Sequence, residues 1–468
     1  MTAATSVQTS LDRVLAEVDA GLEQSLERLY TLLRIKSIST DPAYAAECQR
    51  AADWIAAELN GLGFEAAARP TPGHPVVVAH GPKQDGTHVL FYAHYDVQPV
   101  DPLNLWHTDP FEPVLKTDAN GRQVIVARGA SDDKGQMMTF IEACRAWKKA
   151  TGSLPVQISL MLEGEEESGG KNLPPFMEAN RAELGAADIA LVCDTDMWDR
   201  QTPSITTMLR GLVAEEIEIS CASLDLHSGM FGNAARNPNQ LLAEIISSLR
   251  NPDGSVAIEG FYDDVAEISP ELKAQWQGLG FDQAGFLGDV GLSVPAGEQG
   301  RSVLETIWAR PTCEINGMSG GYTGDGFKTV IPAKASAKIS FRLVSGMQPE
   351  KIRAAFRKHV QDRLPADCTV SFSNHGGSPA ITVPDDGIYL RQALDGLSGE
   401  WDKKAVITGS GGSIPVVGEF KNILGLDSLL IGFAHVDDAI HSPNEKYDLE
   451  SYHRGIRAWV RVLAAFAS

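Results

Sequence analysis

Three things are scarce in this 468-residue chain: positive charge, clustered cysteines and long apolar runs. Lys and Arg number 40 against 61 Asp and Glu, a formal net charge of −21. That balance excludes a nucleic-acid partner, because phosphate backbones need a basic footprint. It leaves a field that attracts small cations. The six cysteines (Cys48, Cys144, Cys193, Cys221, Cys313, Cys368) are scattered, with no CxxC pair and no short disulfide framework. Such thiols read as small buried hydrophobes in a reducing compartment. No apolar run reaches the roughly 18 residues that span a bilayer, so no membrane partner is expected. Residues 1–6 show neither a basic n-region nor an apolar h-region, and the expected location is the cytoplasm.

What is present is ordinary globular material, 43% hydrophobic and 22% charged. The length suits two domains better than one. Apolar residues at helical spacing predict helices over 11–33, 45–62, 135–151 and 172–184. Between them, apolar runs predict strands over 75–79, 88–92, 155–162 and 188–193. Alternating strands and helices indicate an α/β layered sheet. After about residue 209 the texture changes. Strict alternation over 212–220 and 335–344 predicts half-exposed strands. Helices follow over 238–249 and 349–364, with a short strand over 368–372 and a long loop over 251–300. From 381 the first texture returns, with a helix near 387–397, strands over 404–407 and 428–431, and a closing helix over 449–467. The expectation is a catalytic α/β domain formed by 1–208 and 381–468, with an α+β domain, 209–380, inserted into it.

The acidic run Glu163-Gly164-Glu165-Glu166-Glu167, ending in Ser168-Gly169-Gly170, follows the predicted strand 155–162. Four carboxylates at a strand end raise one another's pKa unless cations lie among them. His94-Tyr95-Asp96 follows another strand, Asp132-Asp133 opens a helix, Asp194-Thr195-Asp196 follows a third strand, and His441 sits before the last helix. Each piece alone reads equally well as a polar loop or a helix cap. Together, His94, Asp132, Glu167, Asp196 and His441 all fall at strand ends or in loops of one sheet, where open α/β sheets bind ligands. Two imidazoles and three carboxylates suit a pair of divalent cations about 3.5–4 Å apart, sharing one carboxylate. Glu166, beside a ligand but not needed as one, is placed to act as general base.

The segments 91–100 (FYAHYDVQPV), 128–136 (RGASDDKGQ), 162–170 (LEGEEESGG), 225–229 (DLHSG), 320–335 (GGYTGDGFKTVIPAKA), 340–344 (SFRLV), 411–416 (GGSIPV) and 441–445 (HSPNE) closely resemble the M20 family of di-zinc metallopeptidases, especially its dipeptidase branch. The resemblance implies a mixed-sheet, di-metal aminopeptidase-like catalytic domain with an α+β lid or dimerisation domain. It implies that His94, Asp132 and Asp196 hold one metal, and Asp132, Glu167 and His441 the other. Asp132 would bridge, Asp96 would orient His94, and the Asp132–Asp133 peptide would be cis. Glu166 would be the general base. His227 would reach the partner subunit's site, and Arg342 would hold the substrate's free carboxylate. Thr329, Gly412 and Ser413 would line the substrate cleft. Zinc is the expected metal, with manganese or cobalt as alternatives. The expected activity is hydrolysis of dipeptides or short peptides by a homodimer built through 209–380. N-acyl amino-acid amidohydrolase and carboxypeptidase are the alternatives. Asp133 and Asp194 are expected to make only structural hydrogen bonds, and His435 to be no ligand. One departure stands out: dipeptidases of this group often carry Arg-Glu immediately before Gly-Gly-Ser, where this chain has Thr408-Gly409-Ser410.

Overall fold

Apolar, β-branched runs such as Val76-Val77-Val78-Ala79 and Ile158 to Leu162 are buried on both faces, the signature of interior sheet strands. The computed structural model describes residues 3–412 and 414–467. The chain divides into two compact units, Met1–Thr207 with Val383–Thr408 and Glu419–Ser468, and Met208–Thr382 with Gly409–Gly418.

In the first unit the strand order is Glu65–Arg69, Val76–His80, Gln157–Glu163, His88–His94, Ile189–Val192, Ser428–Leu430, Ser204–Leu209. The central strand His88–His94 runs parallel to both neighbours, and Ser428–Leu430 runs parallel to Ile189–Val192. The outer pairings are antiparallel, so the sheet is mixed. Helices Ala3–Leu33, Lys134–Thr151 and Leu449–Phe466 pack together. The last carries a buried stripe at helical spacing: Tyr452, Ile456, Trp459 and Leu463. Phe91 of the central strand stacks on Phe140 with ring centroids 3.8 Å apart, and Trp459 meets Phe140 edge-on at 5.2 Å. Side chains of this kind contribute about 1.5–3 kcal/mol each on burial, which fixes strand and helices as one block. A small three-stranded sheet, Val114–Thr117, Gln123–Val126 and Lys446–Asp448, joins the chain after residue 126 to the chain before 446.

The helix expected over 172–184 is two helices, Leu173–Ala179 and Arg181–Leu184. Asn180 separates them at φ −111°, and its side-chain amide donates to the Phe176 carbonyl at 2.8 Å. Local side-chain bonding of this kind competes with helix propagation.

The second unit holds a four-stranded antiparallel sheet in the order Thr312–Gly320, Lys334–Leu343, Gly211–Ser220, Thr369–Ser378. Both outer strands carry register breaks, between Ile315 and Gly317 and between Asn374 and Gly377. Val213, Glu215, Ile217 and Ile219 face inward, with helices Pro238–Ser247 and Pro349–Gln361 contributing to the same core. Glu215 is buried there because Arg353 and Arg357 both donate to its carboxylate. Leu212, Ala214, Ser340 and Arg342 lie on the opposite, half-exposed face.

Other features differ from the sequence reading. The segment 251–300, expected as a long loop, carries the helices Pro270–Gly278 and Gln283–Gly288. The strand Thr312–Gly320 was not expected; it is largely exposed, its apolar Ile315 and Met318 included. The segment Gly409–Gly418 clusters with the second unit, although 381–468 reads as one continuous return to the first. Its attachments are hydrogen bonds to its carbonyls, one of them from the Arg210 guanidinium, and close glycine approaches. The Arg210 N–H donates to the Ser410 carbonyl at 3.4 Å, and a Cβ at Gly409 would lie 2.7 Å from Trp308.

A candidate two-metal centre

The centre is built from strand ends of the first unit. His94 is the last residue of its strand. Its main-chain N–H donates to Asp133 Oδ2 at 3.1 Å. Its Nδ1 lies 3.1 Å from the Asp96 carbonyl oxygen and 3.4 Å from Asp96 Oδ1, which turns Nε2 toward the acids. Asp96 Oδ2 in turn accepts from the Glu167 N–H at 3.0 Å.

Asp132 sits at the middle. Its Oδ1 is 3.0 Å from His94 Nε2 and its Oδ2 is 2.9 Å from His441 Nε2. Glu167 Oε2 lies 3.3 Å from His441 Nε2 and accepts from Gln98 Nε2 at 2.6 Å. Asp194 Oδ2 lies 3.9 Å from His94 Nε2. Two groups of potential ligands result, His94–Asp132–Asp194 and Asp132–Glu167–His441, each with ligand atoms within 4.8 Å of one another. Asp132 belongs to both. The Asp132–Asp133 peptide is cis, as the resemblance implies.

Asp196 is not in either group; this corrects the expectation. The parallel register pairs Tyr92 with Val192, so position 194 lies level with His94. Asp196 is exposed two residues farther on, where its backbone bridges to Ala434. Asp194, expected to be structural, holds the place instead.

The charge pattern suits cations. Burial, then the neighbouring Asp132, Glu166 and Glu167 acting against His94, push the Asp194 carboxyl up to about 7. Hydrogen bonds to Asp132 and Glu167 push His441 up to about 10. Burial and the nearby carboxylates outweigh His94 in raising Glu166. Asp194 and Glu166 are driven toward protonation and both imidazoles toward the cationic form, while the two imidazoles hold the shared Asp132 carboxyl down, a pattern that favours added positive charge. Glu167 Oε1 is buried with no hydrogen-bond partner among the described residues. A mixed nitrogen and oxygen donor set with a shared carboxylate and a free lone pair fits two divalent ions.

The surrounding residues take supporting parts. Glu163 accepts from the Tyr92 hydroxyl at 2.6 Å, and Glu165 accepts from Asn172 Nδ2. His435 turns to Ser451 Oγ at 2.8 Å, and burial holds its pKa down at about 4. Glu445, to which the sequence reading gave no role, is fully buried. Its Oε2 accepts from Arg128 Nη1 at 2.8 Å and the Gly129 N–H at 3.0 Å. Its Oε1 accepts from the Ser131 N–H at 2.9 Å and the Asp132 N–H at 3.0 Å. The signal available in sequence was an acid four residues after a candidate ligand, which is too common to single out.

The remaining candidates belong to the second unit. His227 is exposed, and its Nδ1 accepts from the Gly229 N–H at 3.0 Å. The Thr329 carbonyl accepts from the Ser228 N–H at 3.1 Å, across the short pair Leu226–His227 and Val330–Ile331. Arg342 lies on the half-exposed sheet face, opposite Leu212 and Thr312. The Gly412 N–H donates to Ser410 Oγ at 3.2 Å. Ser413 lies outside the described residues.

Among curated proteins, the chain is 31% identical to the Cys-Gly metallodipeptidase of Schizosaccharomyces pombe over 99% of both chains. Among solved structures, a di-peptidase from Saccharomyces cerevisiae aligns over 98% of both chains with a TM-score of 0.72 and 27% identity. An M20 family metallo-carboxypeptidase from Sulfolobus solfataricus covers 95% of this chain and 99% of its own, with a TM-score of 0.75 and 30% identity. Residues 90–465 match peptidase family M20/M25/M40. With the shared aspartate, the two ligand groups and this continuous match together, the chain belongs to that family of metallopeptidases.

Proposed function

We propose that this protein is a metal-dependent dipeptidase, hydrolysing dipeptides or short peptides that carry a free C-terminal carboxylate. The observation that carries the reading is the pair of ligand groups meeting at Asp132, with Glu166 one residue from Glu167. His94, Asp132 and Asp194 are assigned to one divalent ion, and Asp132, Glu167 and His441 to the other, zinc fitting the donor set best. Such ions, when bound, polarise the scissile carbonyl and acidify a water. Glu166, with its pKa raised by burial, accepts that water's proton and returns it to the leaving amine. Asp96 holds the His94 ring. Arg342 is assigned the substrate carboxylate, for which a guanidinium offers two parallel donors. His227 is assigned to the oxyanion in the site of a partner subunit, with Thr329, Gly412 and Ser413 lining the cleft. That assignment requires a homodimer formed through the second unit. Six unbonded cysteines suit the cytoplasm.

The test is Glu166→Gln. Two metal ions per chain should remain while turnover of a dipeptide panel falls by about 10²–10⁴-fold. Near-normal turnover in that variant rules out Glu166 as the base. Similarity to the Sulfolobus carboxypeptidase supports a second reading with the same chemistry on longer peptides. Tripeptides and N-acetyl amino acids in the panel separate the two.

A further inference from the structure

Arg210 lies between the strands Ser204–Leu209 and Gly211–Ser220 and is half-buried. A shielded guanidinium ordinarily has a carboxylate beside it. Among the described residues neither Arg210 nor Arg342 forms an ion pair. The bonds of Arg210 are to neutral acceptors, Nε to the Gly411 carbonyl at 3.1 Å and Nη1 to the Thr306 carbonyl at 3.4 Å. A Cβ at Gly411 would stand 2.8 Å from Arg210 Nη2, so glycine there lets the segment lie against the guanidinium.

Register brings the two arginines together. Arg342 pairs with Leu212, and Arg210 is two residues before Leu212 in the same strand direction. Arg210 stands one residue before the last ladder pair, Gly211 with Leu343, so the two arginines flank the end of that ladder. Burial and then the Arg342 charge hold Arg210 down at about 10. Glu314, the nearest acidic influence, faces Arg250 at 3.6 Å. Two like charges at one ladder end favour a bound anion.

We propose that Arg210 and Arg342 form one anion site, in which Arg210 is a second specificity-determining guanidinium for a C-terminal aspartate or glutamate. The two carboxylates of such a residue match the two cations. The proposal rests on the dipeptidase reading for its substrate. The Arg210 guanidinium reaches the Gly411 carbonyl from a different part of the chain.

The experiment compares Ala-Asp with Ala-Asn and Ala-Glu with Ala-Gln, on metal-loaded wild type, Arg210→Gln and Arg210→Lys. Wild type should favour the acidic member of each pair by roughly 10- to 100-fold in kcat/KM, carried by KM, the discrimination a charge-assisted hydrogen bond supplies. Arg210→Gln should bring that ratio near one, and Arg210→Lys should keep part of it. Equal loss on both members of a pair means that Arg210 only holds the Gly411 segment, and overturns the proposal. Melting-temperature shifts with free L-aspartate and L-asparagine read the same site without turnover. Aspartate should stabilise wild type more than asparagine, and Arg210→Gln should erase the difference. If no dipeptide is cleaved but that difference is present, the dipeptidase reading fails and the anion site stands. If the two amino acids act alike on wild type, the anion site fails.

Discussion

Replacing Glu445 by glutamine tests how the centre is held. The two residues have the same shape, but their hydrogen-bonding capacity differs. Each Glu445 oxygen receives two N–H donors, Arg128 and Gly129 on one side, Ser131 and Asp132 on the other. Glutamine turns one oxygen into an NH2, so either orientation points donors at donors. The change also leaves the Arg128 guanidinium, 1% exposed, without its carboxylate. Breaking a buried pair in this way costs about 3–5 kcal/mol. Arg128 retains the Pro99 carbonyl at 3.0 Å and the Trp106 ring at 5.3 Å, which places the cost near the lower end. About 3 kcal/mol corresponds to a fall of roughly 6–12 °C in melting temperature for a unit of this size. Thermal melting gives the shift, and hydrogen exchange at the amides of Gly129, Ser131 and Asp132 localises it. Metal content should fall as well, because Asp132 is shared by both ligand groups. If the glutamine variant melts within about 2 °C of wild type with those amides still protected, the cradle does not hold the site.

Two further outcomes are expected. Asp194→Asn should weaken one metal site by about 10- to 100-fold or more while Asp196→Asn leaves both filled, measured by elemental analysis under limiting metal; the reverse result would restore Asp196 as the ligand. His359 of the second unit is buried with Nε2 2.9 Å from Ser248 Oγ, and burial holds its pKa down at about 4. The unfolded histidine, near pKa 6.5, binds protons first as pH falls. The contribution of neutral His359 is therefore complete above about pH 6.5 and is lost as pH falls toward about 4. His359→Gln should flatten the melting-temperature profile over that window, and an unchanged slope would refute the assignment.

The metal-site residues were legible in sequence to the extent that chemistry and local punctuation define them. His94, Asp132 and Glu167 stand out because acids and histidines rarely follow buried strands, and His441 because it precedes the last helix in a polar loop. Choosing between Asp194 and Asp196 needed the parallel register of two strands a hundred residues apart, which no local pattern encodes. Glu445 was silent for a different reason. Its role is to accept N–H groups, a task that leaves no residue-type signature on the donor side. The α/β and α+β textures followed from hydrophobic period, whereas Thr312–Gly320 did not, because an exposed edge strand has no face that must be apolar. The attachment of Gly409–Gly418 is made by carbonyls and close glycine approaches, and those are invisible to hydropathy.

The register breaks in the two outer strands of the second unit also bear on colloidal behaviour. A long, even strand edge is a template on which identical chains can add without limit. Here each edge is interrupted, at Ile315–Gly317 on one side and Asn374–Gly377 on the other, and bulges of this kind bend and twist a strand away from a flat partner. Only short regular stretches remain, such as the six ladder positions from Thr369 to Asn374. The sheet can therefore display an open margin in water while resisting runaway fibre-like stacking.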